Sequence, residues 1–467
     1  MSSGRQASLS DRDLSVVMQR ASRSMSDRRP LLKVQAPAAP VEKMPYDTAF
    51  ETLPAFQQMV MQRTIGDQLG LENPYYRVHD ARAGAASSID GKAVVNFASY
   101  DYLGLNGDRR ITQAVHEAAA RWGTSVSASR LTAGEREAHR ELEAGLARLY
   151  GAQDAVAFVS GHATAVSTIA ALLEQNDLIL HDSLIHNCVV AGALMSGAAR
   201  RSFAHNDLDA LEAMLRQERG RYKRVLIASE GLFSMDGDGP DLARLVAIKQ
   251  RYGCWLLVDD AHGLGVLGTT GRGIFEHAGV DPCEVDIWLG TLSKSLVSCG
   301  GYVAGSKVLV DLLKCVAPGF VYSVGLPVPA AVAATAALQI MLAEPERVQR
   351  LQRNGMRLRD QARACGLNTG ESWGYGVTPI IVGDTLRTVM LAQRLLQRGI
   401  NAFPVLPPGV PEATARLRFF VSSEHSLAQI DAAVAATREE MDRLEAEDYG
   451  MNALPRLLAA RPSLVAG

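Results

Sequence analysis

The sequence has almost no net charge and few cysteines, and each shortage excludes a class of protein. Its 48 Lys and Arg residues nearly balance 50 Asp and Glu residues, which leaves a net charge of −2 at pH 7. Nucleic-acid binding needs clustered positive charge to neutralise phosphates, so it is not expected. The six cysteines are scattered without a Cys-x-x-Cys pair, and we expect no metal site. No secretory signal is recognisable, so we expect a cytoplasmic protein with reduced thiols.

The chain also lacks an uninterrupted apolar helix long enough to cross a membrane. Residues 315–343 carry no charge, and a run of that length could span a bilayer. However, Pro318, Pro327 and Pro329 interrupt it, and only residues 330–343 have a helical composition. We therefore expect a buried helix here and no membrane span.

The sequence does contain an alternation of short apolar runs and helical segments. Its 467 residues are 47% hydrophobic, which is ordinary for a globular protein. Apolar runs predict strands at residues 155–159, 178–180, 224–228, 255–258 and 286–289. Helices are predicted between them, at residues 138–150, 164–173, 208–217 and 241–251. This alternation predicts an α/β fold with a mostly parallel central sheet flanked by helices.

The last third of the chain has a different character. Helical composition continues to about residue 358, and it is followed by predicted strands at 378–382 and 417–421 and helices at 388–398 and 427–445. These elements predict a smaller α+β domain at the C-terminal end. We divide the chain into an arm and linker (1–50), an N-terminal segment (51–95), a large domain (96–335), a small domain (336–447) and a tail (448–467).

The arm is basic and contains one amphipathic stretch. Its first 45 residues hold eight Lys and Arg against four Asp and Glu. Ser10 fits an N-cap, and one helical face then carries Leu14, Val17, Met18, Ala21 and Met25. A helix this short needs a surface, such as the body of the protein, a membrane interface or an acidic partner. The alternative is a dispensable leader.

A glycine motif at Gly263, Gly265 and Gly268 matches the dinucleotide-binding pattern only superficially. In that pattern the first glycine directly follows a strand, and the helix N-terminus receives the pyrophosphate. Here Asp259 and Asp260 intervene, and their carboxylates would repel a pyrophosphate. We expect these glycines to allow a tight turn behind a polar cluster.

Four polar segments lie at or near the predicted strand ends. They are Ser160-Gly-His162, Ser234-Met-Asp-Gly-Asp238, Asp259-Asp-Ala-His262 and Thr291-Leu-Ser-Lys294-Ser. The carboxyl ends of parallel strands form the usual ligand site of such a sheet. A lysine for a Schiff base, an acid for a pyridine nitrogen and a glycine turn opening a helix for a phosphate together indicate pyridoxal 5′-phosphate (PLP).

With these motifs the chain resembles the α-oxoamine synthases, a family of fold-type-I PLP enzymes. The resemblance extends over residues 75–444. Its most specific pieces are Asn96-Phe-Ala-Ser-Tyr-Asp-Tyr102-Leu-Gly-Leu, Ser234-Met-Asp-Gly-Asp, Val258-Asp-Asp-Ala-His-Gly263, Thr291-Leu-Ser-Lys-Ser and Ala415-Arg-Leu-Arg418. The resemblance implies the fold-type-I PLP transferase fold and a homodimer.

The resemblance also implies roles in catalysis. Lys294 would carry the cofactor and then move the Cα proton of the amino acid. Asp259 would pair with the pyridinium nitrogen, and His262 and Ser234 would reach the ring hydroxyl. His186 would stack on the ring, so Lys294, His186, His262 and Asp259 are the implied catalytic residues.

Other positions are implied to bind the phosphate and the substrate. The phosphate would lie against Ser160, Gly161, His162 and Thr291. Ser323 would reach the phosphate of the other subunit's cofactor. Arg418 would clamp the carboxylate of the amino acid, because its guanidinium offers two-point geometry.

Two stretches depart from the family pattern. Tyr100 stands where many members have an Asn that contacts the substrate. We assign Tyr100 to substrate binding and leave open what its side chain does there. Residues 123–130 contain Ser, Val and Ala where several members are rich in glycine. The sequence looks nearest to serine palmitoyltransferase and to synthases that act with acyl carriers.

The implied reaction is a decarboxylative Claisen-type condensation. An α-amino acid and an acyl thioester would give an α-aminoketone, CO₂ and a free thiol. Another PLP activity on the same fold, an aminotransferase or a lyase, is the first alternative, and a non-catalytic partner subunit is the second. Glycine, alanine and serine remain open as the amino acid, as does the acyl chain. The donor could be coenzyme A or an acyl carrier protein, whose acidic surface would suit the basic arm.

Overall fold

The computed structural model describes residues 47–459. The amphipathic stretch expected near residues 10–25 lies outside this range. The described residues divide into two compact units between Gln62 and Arg63. All the sheets and the predicted site belong to the second unit, while the domain boundaries at 50, 95, 335 and 447 stay predictions.

Thirteen strands are numbered here in chain order within the described residues. They are β1 (Ala86–Ile89), β2 (Lys92–Asn96), β3 (Asp154–Phe158), β4 (Leu178–Asp182), β5 (Ala199–Phe203), β6 (Val225–Glu230), β7 (Trp255–Asp259), β8 (Ile287–Thr291), β9 (Gly301–Gly305), β10 (Val377–Gly383), β11 (Ile400–Asn401), β12 (Phe403–Val405) and β13 (Ala415–Phe420).

The α-helices are numbered in the same way. They are α1 (Pro54–Leu69), α2 (Arg109–Trp122), α3 (Glu137–Leu149), α4 (Gly161–Leu172), α5 (Asn187–Ser196), α6 (Leu208–Glu218), α7 (Leu242–Tyr252), α8 (Ile274–Ala278), α9 (Lys307–Val316), α10 (Pro318–Val321), α11 (Val328–Ala343), α12 (Pro345–Ala364), α13 (Thr385–Gln397), α14 (Leu427–Ala446) and α15 (Leu454–Ala459).

The central sheet has seven strands in the order β3-β9-β8-β7-β6-β4-β5. β9 is antiparallel to both of its neighbours, and the other neighbouring pairs are parallel. All six residues of β6 are buried, as expected for a strand covered on both faces. The predicted α/β fold with a mostly parallel sheet is confirmed.

Helix ends follow ordinary capping chemistry. The Asp241 carboxylate accepts a hydrogen bond from the Arg244 N–H at the start of α7, and Gly253 ends this helix in the left-handed conformation. Between these ends, α7 buries an apolar face that includes Leu242, Leu245 and Ile248. The helix was predicted to begin one residue earlier, at Asp241, which is its cap.

Two strands of the central sheet were not predicted. β5 reads Ala-Arg-Arg-Ser-Phe and lies at the sheet edge, so its arginines face solvent and it has no apolar run. β9 is fully buried, but it begins at Gly301 and ends at Gly305, so its sequence did not indicate a strand. The helix expected from residue 330 to 358 is in fact two helices, α11 and α12, and the chain bends by 80° where one ends and the other begins.

The C-terminal part carries an antiparallel sheet, β10-β13-β12, and a third sheet, β1-β2-β11, joins it to the N-terminal segment. The strand predicted at 417–421 begins two residues earlier, at Ala415. In the described part of the chain, no single helix is long and apolar enough to cross a membrane, although α11 and α12 meet that length and composition as a bent pair.

Candidate active site

The predicted polar segments meet at the carboxyl edge of the central sheet. Asp259 ends β7, Thr291 ends β8, and Ser160 lies two residues after the end of β3. The register of the sheet places Glu230, at the end of β6, beside Asp259. The polar site therefore forms where parallel strands end, as the sequence predicted.

Asp259 is a buried carboxylate in need of a positive partner. One oxygen accepts a hydrogen bond from the Ala261 N–H at 3.0 Å. Burial raises the pKa of Asp259, while Lys294 and His186 act in the opposite direction. A protonated pyridine nitrogen would supply a compensating charge here, so the donor set fits the ring of PLP.

Lys294 follows β8 on a short loop and is half-buried. Burial lowers the pKa of Lys294, although the carboxylates of Asp259 and Glu230 oppose this. Its Nζ atom lies 5.8 Å from the centroid of the Tyr100 ring. A lysine with a lowered pKa has more of the neutral amine that Schiff-base formation and proton transfer require.

His262 is held by a buried tyrosine. The Tyr102 hydroxyl lies 2.7 Å from His262 Nδ1, and both side chains are buried. Burial raises the pKa of Tyr102 and lowers that of His262, so the phenol keeps its proton and the imidazole is neutral. With a protonated phenol and a neutral imidazole, the hydroxyl can donate to Nδ1, which places the imidazole proton on Nε2.

His186 caps helix α5 and is tied to the same edge. Its backbone N–H donates to Glu230 at 2.7 Å, and its Nδ1 lies 3.0 Å from Cys188 Sγ. Burial lowers the pKa of His186. The charge of Asp259 raises this pKa, and the charge of Lys294 lowers it further. A neutral imidazole at this position is suited to stack on an aromatic ring.

The N-terminus of α4 is a candidate anion cradle beside Thr291. Ser160 is the N-cap, and Gly161 and His162 begin this helix of 12 residues. A side chain at Gly161 would have its Cβ only 3.0 Å from Thr291 Oγ1, so glycine keeps the cradle open. Free helix N–H groups beside a threonine hydroxyl suit a phosphate.

Arg418 is a buried guanidinium without an acidic partner. It lies over the Phe420 ring, 4.4 Å from its centroid, and donates to the Ser234 carbonyl at 3.4 Å. Within residues 47–459 no carboxylate pairs with it, and its Nε has no hydrogen-bond partner. A buried, uncompensated positive charge is costly, so this residue is suited to receive a substrate carboxylate.

Arg416 differs from Arg418 in having a carboxylate partner. It pairs with Asp236 at 2.7 Å and donates to the carbonyls of Met235 and Thr414. The strand predicted at 417–421 would leave Arg416 just outside it, but β13 begins at Ala415, so Arg416 lies within the strand. The two arginines therefore project from the same face of one strand.

Two predicted residues lie at the margins of the site. Tyr100 is partly exposed. Its ring packs edge-on against Phe420, with 4.8 Å between the two ring centroids. Ser323 lies between Tyr322 and Val324, which are 87% and 47% exposed, and in the described residues no hydrogen bond joins it to the other site residues. Its implied role toward the other subunit stays a prediction.

A charged network holds the loops on either side of the site. His205 lies 2.9 Å from both Asp182, which begins the segment leading to His186, and Asp238, in the segment that begins at Ser234. Burial alone would lower the pKa of His205, but its hydrogen bonds to the two carboxylates raise it to about 10.

This network predicts a pH-dependent contribution to stability. Because the folded pKa of His205 lies above the unfolded value near 6.5, its contribution is complete below about pH 6.5 and is lost as the pH rises through about 10. We expect His205→Gln to lower the melting temperature by several degrees at pH 6 and by much less at pH 10. Thermal denaturation of the wild type and the variant from pH 6 to pH 10 measures the difference in their melting temperatures. A difference that does not change with pH would contradict the prediction.

The sequence interpretation missed Glu230, Tyr102 and His205. Glu230 could have been recognised from the sequence, because a glutamate that ends a fully buried strand must face a polar group or be neutral. Burial and the neighbouring Asp259 raise the pKa of Glu230 well above its usual range. Tyr102 lay inside a quoted motif, but its partner His262 is 160 residues away.

Comparison with known proteins agrees with this geometry. Residues 92–436 match the family model for class I and II aminotransferases. The chain is 37% identical over 369 residues to 8-amino-7-oxononanoate synthase of Symbiobacterium thermophilum, covering 79% of this chain and 93% of the relative. It is similar to the solved Sphingomonas wittichii serine palmitoyltransferase, with a TM-score of 0.80, 27% identity and coverage of 85% of this chain and 99% of that one. A structure of SPT with its PLP internal aldimine gives a TM-score of 0.80 at 26% identity and covers 84% and 99% of the two chains.

Proposed function

Because the chain belongs to the class I and II aminotransferase family, and within it to the α-oxoamine synthases, we propose that it condenses a small α-amino acid with an acyl thioester. The products are an α-aminoketone, CO₂ and a free thiol. The observation that carries the proposal is the unpaired, buried Arg418, which lies on β13 of the C-terminal sheet and faces the site formed by Lys294 and Asp259. It offers the amino acid carboxylate a charge that nothing in the described residues satisfies.

The cofactor is PLP, and the residues of the site fit it. Lys294 would attach it, Asp259 would face its ring nitrogen, and the start of α4 with Thr291 would hold its phosphate. When bound, PLP supplies an electron sink for the negative charge that develops at the substrate Cα.

Side chains of the protein orient the amino acid and transfer its Cα proton. Arg418 orients the amino acid by its carboxylate, so that the Cα–H bond lies within reach of Lys294. Lys294, whose pKa burial lowers, takes the Cα proton and can return it after CO₂ is lost. With Nδ1 accepting from the Tyr102 hydroxyl, His262 would donate from Nε2 to the ring hydroxyl of the cofactor.

A panel assay tests the proposal against its nearest alternative. The purified protein with PLP is incubated with glycine, alanine or serine and with acyl thioesters of coenzyme A or of an acyl carrier protein. Mass spectrometry should detect an α-aminoketone that requires both substrates. In parallel mixtures that contain a 2-oxo acid as amino acceptor in place of the thioester, transfer of the amino group to that acceptor would instead establish an aminotransferase.

We also propose that the protein acts as a homodimer in the cytoplasm. Thioesters of coenzyme A and of an acyl carrier protein both remain candidate acyl donors. The six cysteines are free, and three of them (Cys283, Cys299 and Cys315) are exposed, which suits a reducing compartment. An acyl carrier protein is a candidate partner because the arm is basic. The presence of Lys294, Asp259 and His262 argues against a non-catalytic subunit.

The dimer is expected to cover an apolar patch formed by two adjacent segments. Leu131, Tyr322 and Val324 are 54%, 87% and 47% exposed. The two segments are joined by hydrogen bonds from Ser129 to the Val321 carbonyl and from Gly325 to the Ala128 carbonyl. Apolar side chains that protrude together mark an interaction surface.

We predict that Tyr322→Asp combined with Val324→Asp dissociates the dimer and lowers activity at least tenfold. Burying two carboxylates against a second subunit is unfavourable, and Ser323 between them is the residue implied to reach the partner's phosphate. Light scattering measures the mass of both proteins. Lys307→Asp, a charge change on exposed α9, is the control, and a fully active wild-type monomer would refute the prediction.

A further inference from the structure

A cleft of about 440 Å³ opens directly beside Lys294. This volume is within the usual range for small-molecule sites. Lys294, Tyr100 and Val297 contribute to its wall, together with polar residues that include His79 and Asn96. The cleft offers a second substrate a route to the lysine.

Val297 adopts a backbone conformation that its side chain disfavours. Its φ is +40°, in the left-handed region. Of the seven non-glycine residues with positive φ between residues 47 and 459, it is the only β-branched one. Branching at Cβ makes this region especially unfavourable, so the surrounding structure must impose the conformation.

The imposing contacts belong to the loop that presents Lys294. The Val297 N–H donates to the Lys294 carbonyl at 2.9 Å, which closes a tight turn. The next residue, Ser298, donates from its backbone to Leu292 at 2.9 Å and from its hydroxyl to Ala330 at 2.6 Å. A glycine would satisfy the same hydrogen bonds without strain, because only the isopropyl group is disfavoured.

The isopropyl group contributes instead to the wall of the cleft. Val297 is half-buried, with one side packed against the hydrophobic core and another lining the cleft near Tyr100. Backbone strain that persists at a functional site suggests a role for the side chain that causes it.

We propose that Val297 determines acyl-donor specificity by narrowing the cleft through which the thioester reaches Lys294, so that short acyl groups are accepted and bulky ones are excluded. This inference rests on the proposed condensation. The amino acid is oriented by Arg418, which does not line the cleft, so its recognition is independent of Val297.

The test is Val297→Gly, assayed with acetyl-, hexanoyl- and dodecanoyl-coenzyme A. We expect kcat/KM for the dodecanoyl donor, relative to the acetyl donor, to rise at least about tenfold, since a few carbon atoms in a pocket can discriminate to that degree. The KM of the amino acid should stay within twofold, and the melting temperature should be unchanged or higher. A donor ratio within twofold of the wild-type value would overturn the proposal, as would a change confined to amino acid preference.

Ala413→Gly is the matched control. Ala413 is exposed and also has a positive φ, of 60°, but it does not line the cleft. This variant should have the wild-type donor ratio. If it shifted the ratio as Val297→Gly does, relief of backbone strain would explain the effect and the specificity role would be wrong.

A binding measurement separates this inference from the proposed function. The S-ethyl and S-dodecyl thioethers of coenzyme A cannot react, so their dissociation constants do not depend on catalysis. We expect Val297→Gly to tighten binding of the dodecyl thioether about tenfold relative to the ethyl one, even if neither protein makes an aminoketone. Equal tightening of both thioethers, or no binding by either protein, would overturn the assignment of the cleft.

Discussion

Lys294→Ala should abolish condensation, reducing turnover by at least about 10³-fold, and should remove the covalent attachment of PLP. One side chain is asked both to hold the cofactor and to move the Cα proton, and proton transfer alone contributes about 10²–10⁴-fold. The lysine lies on a loop rather than in the core, so the fold and its circular dichroism spectrum should be retained.

Colour and mass provide the readouts. The wild-type protein should be yellow, and borohydride should leave the cofactor on a peptide that contains Lys294. Lys307→Ala, an exposed lysine that pairs with Asp311, is the control and should keep both properties. A wild-type protein that stays colourless and inactive with added PLP would contradict the prediction.

Arg418→Lys should raise the KM of the amino acid about 10- to 100-fold while changing PLP affinity little. Lysine keeps the positive charge but loses the two-point geometry, a loss of roughly 1–3 kcal/mol for a charged hydrogen-bonded pair. Steady-state kinetics with varied amino acid, together with a fluorescence titration of PLP, measures both quantities.

Arg416→Lys is the matched comparison on the same strand face. Arg416 holds Asp236 and two backbone carbonyls, so its replacement should lower the melting temperature and affect the KM much less. Equal effects of the two substitutions on the KM would mean that both arginines are structural.

The parts of the site that were predictable carry their signal in local sequence. Asp259 and Thr291 each end a short apolar run, and a buried parallel strand is recognisable from such a run alone. Lys294 follows three residues after Thr291, so its position at the sheet edge was also determined locally. The α-oxoamine synthase motifs in the expected order then supported the family, which the comparisons confirm.

The parts that were missed depend on contacts between distant segments. Tyr102 meets His262 only because the segment that follows β2 packs against the loop that follows β7. His205 joins the end of β4 to the loop that follows β6 through Asp182 and Asp238, and nothing near it in sequence indicates both partners. The left-handed turn at Val297 is likewise imposed by hydrogen bonds to Lys294 and Ala330, against the preference of valine itself.

The measurement that tests the central claim most directly is the stoichiometry of a single reaction mixture. The protein, PLP, an acyl thioester and an amino acid labelled with ¹³C in its carboxyl group are combined, and labelled CO₂, free thiol and α-aminoketone are quantified together. Decarboxylative condensation predicts the three products in equal amounts, with no label left in the ketone. Release of thiol without labelled CO₂, or of a labelled 2-oxo acid in place of the ketone, would contradict it.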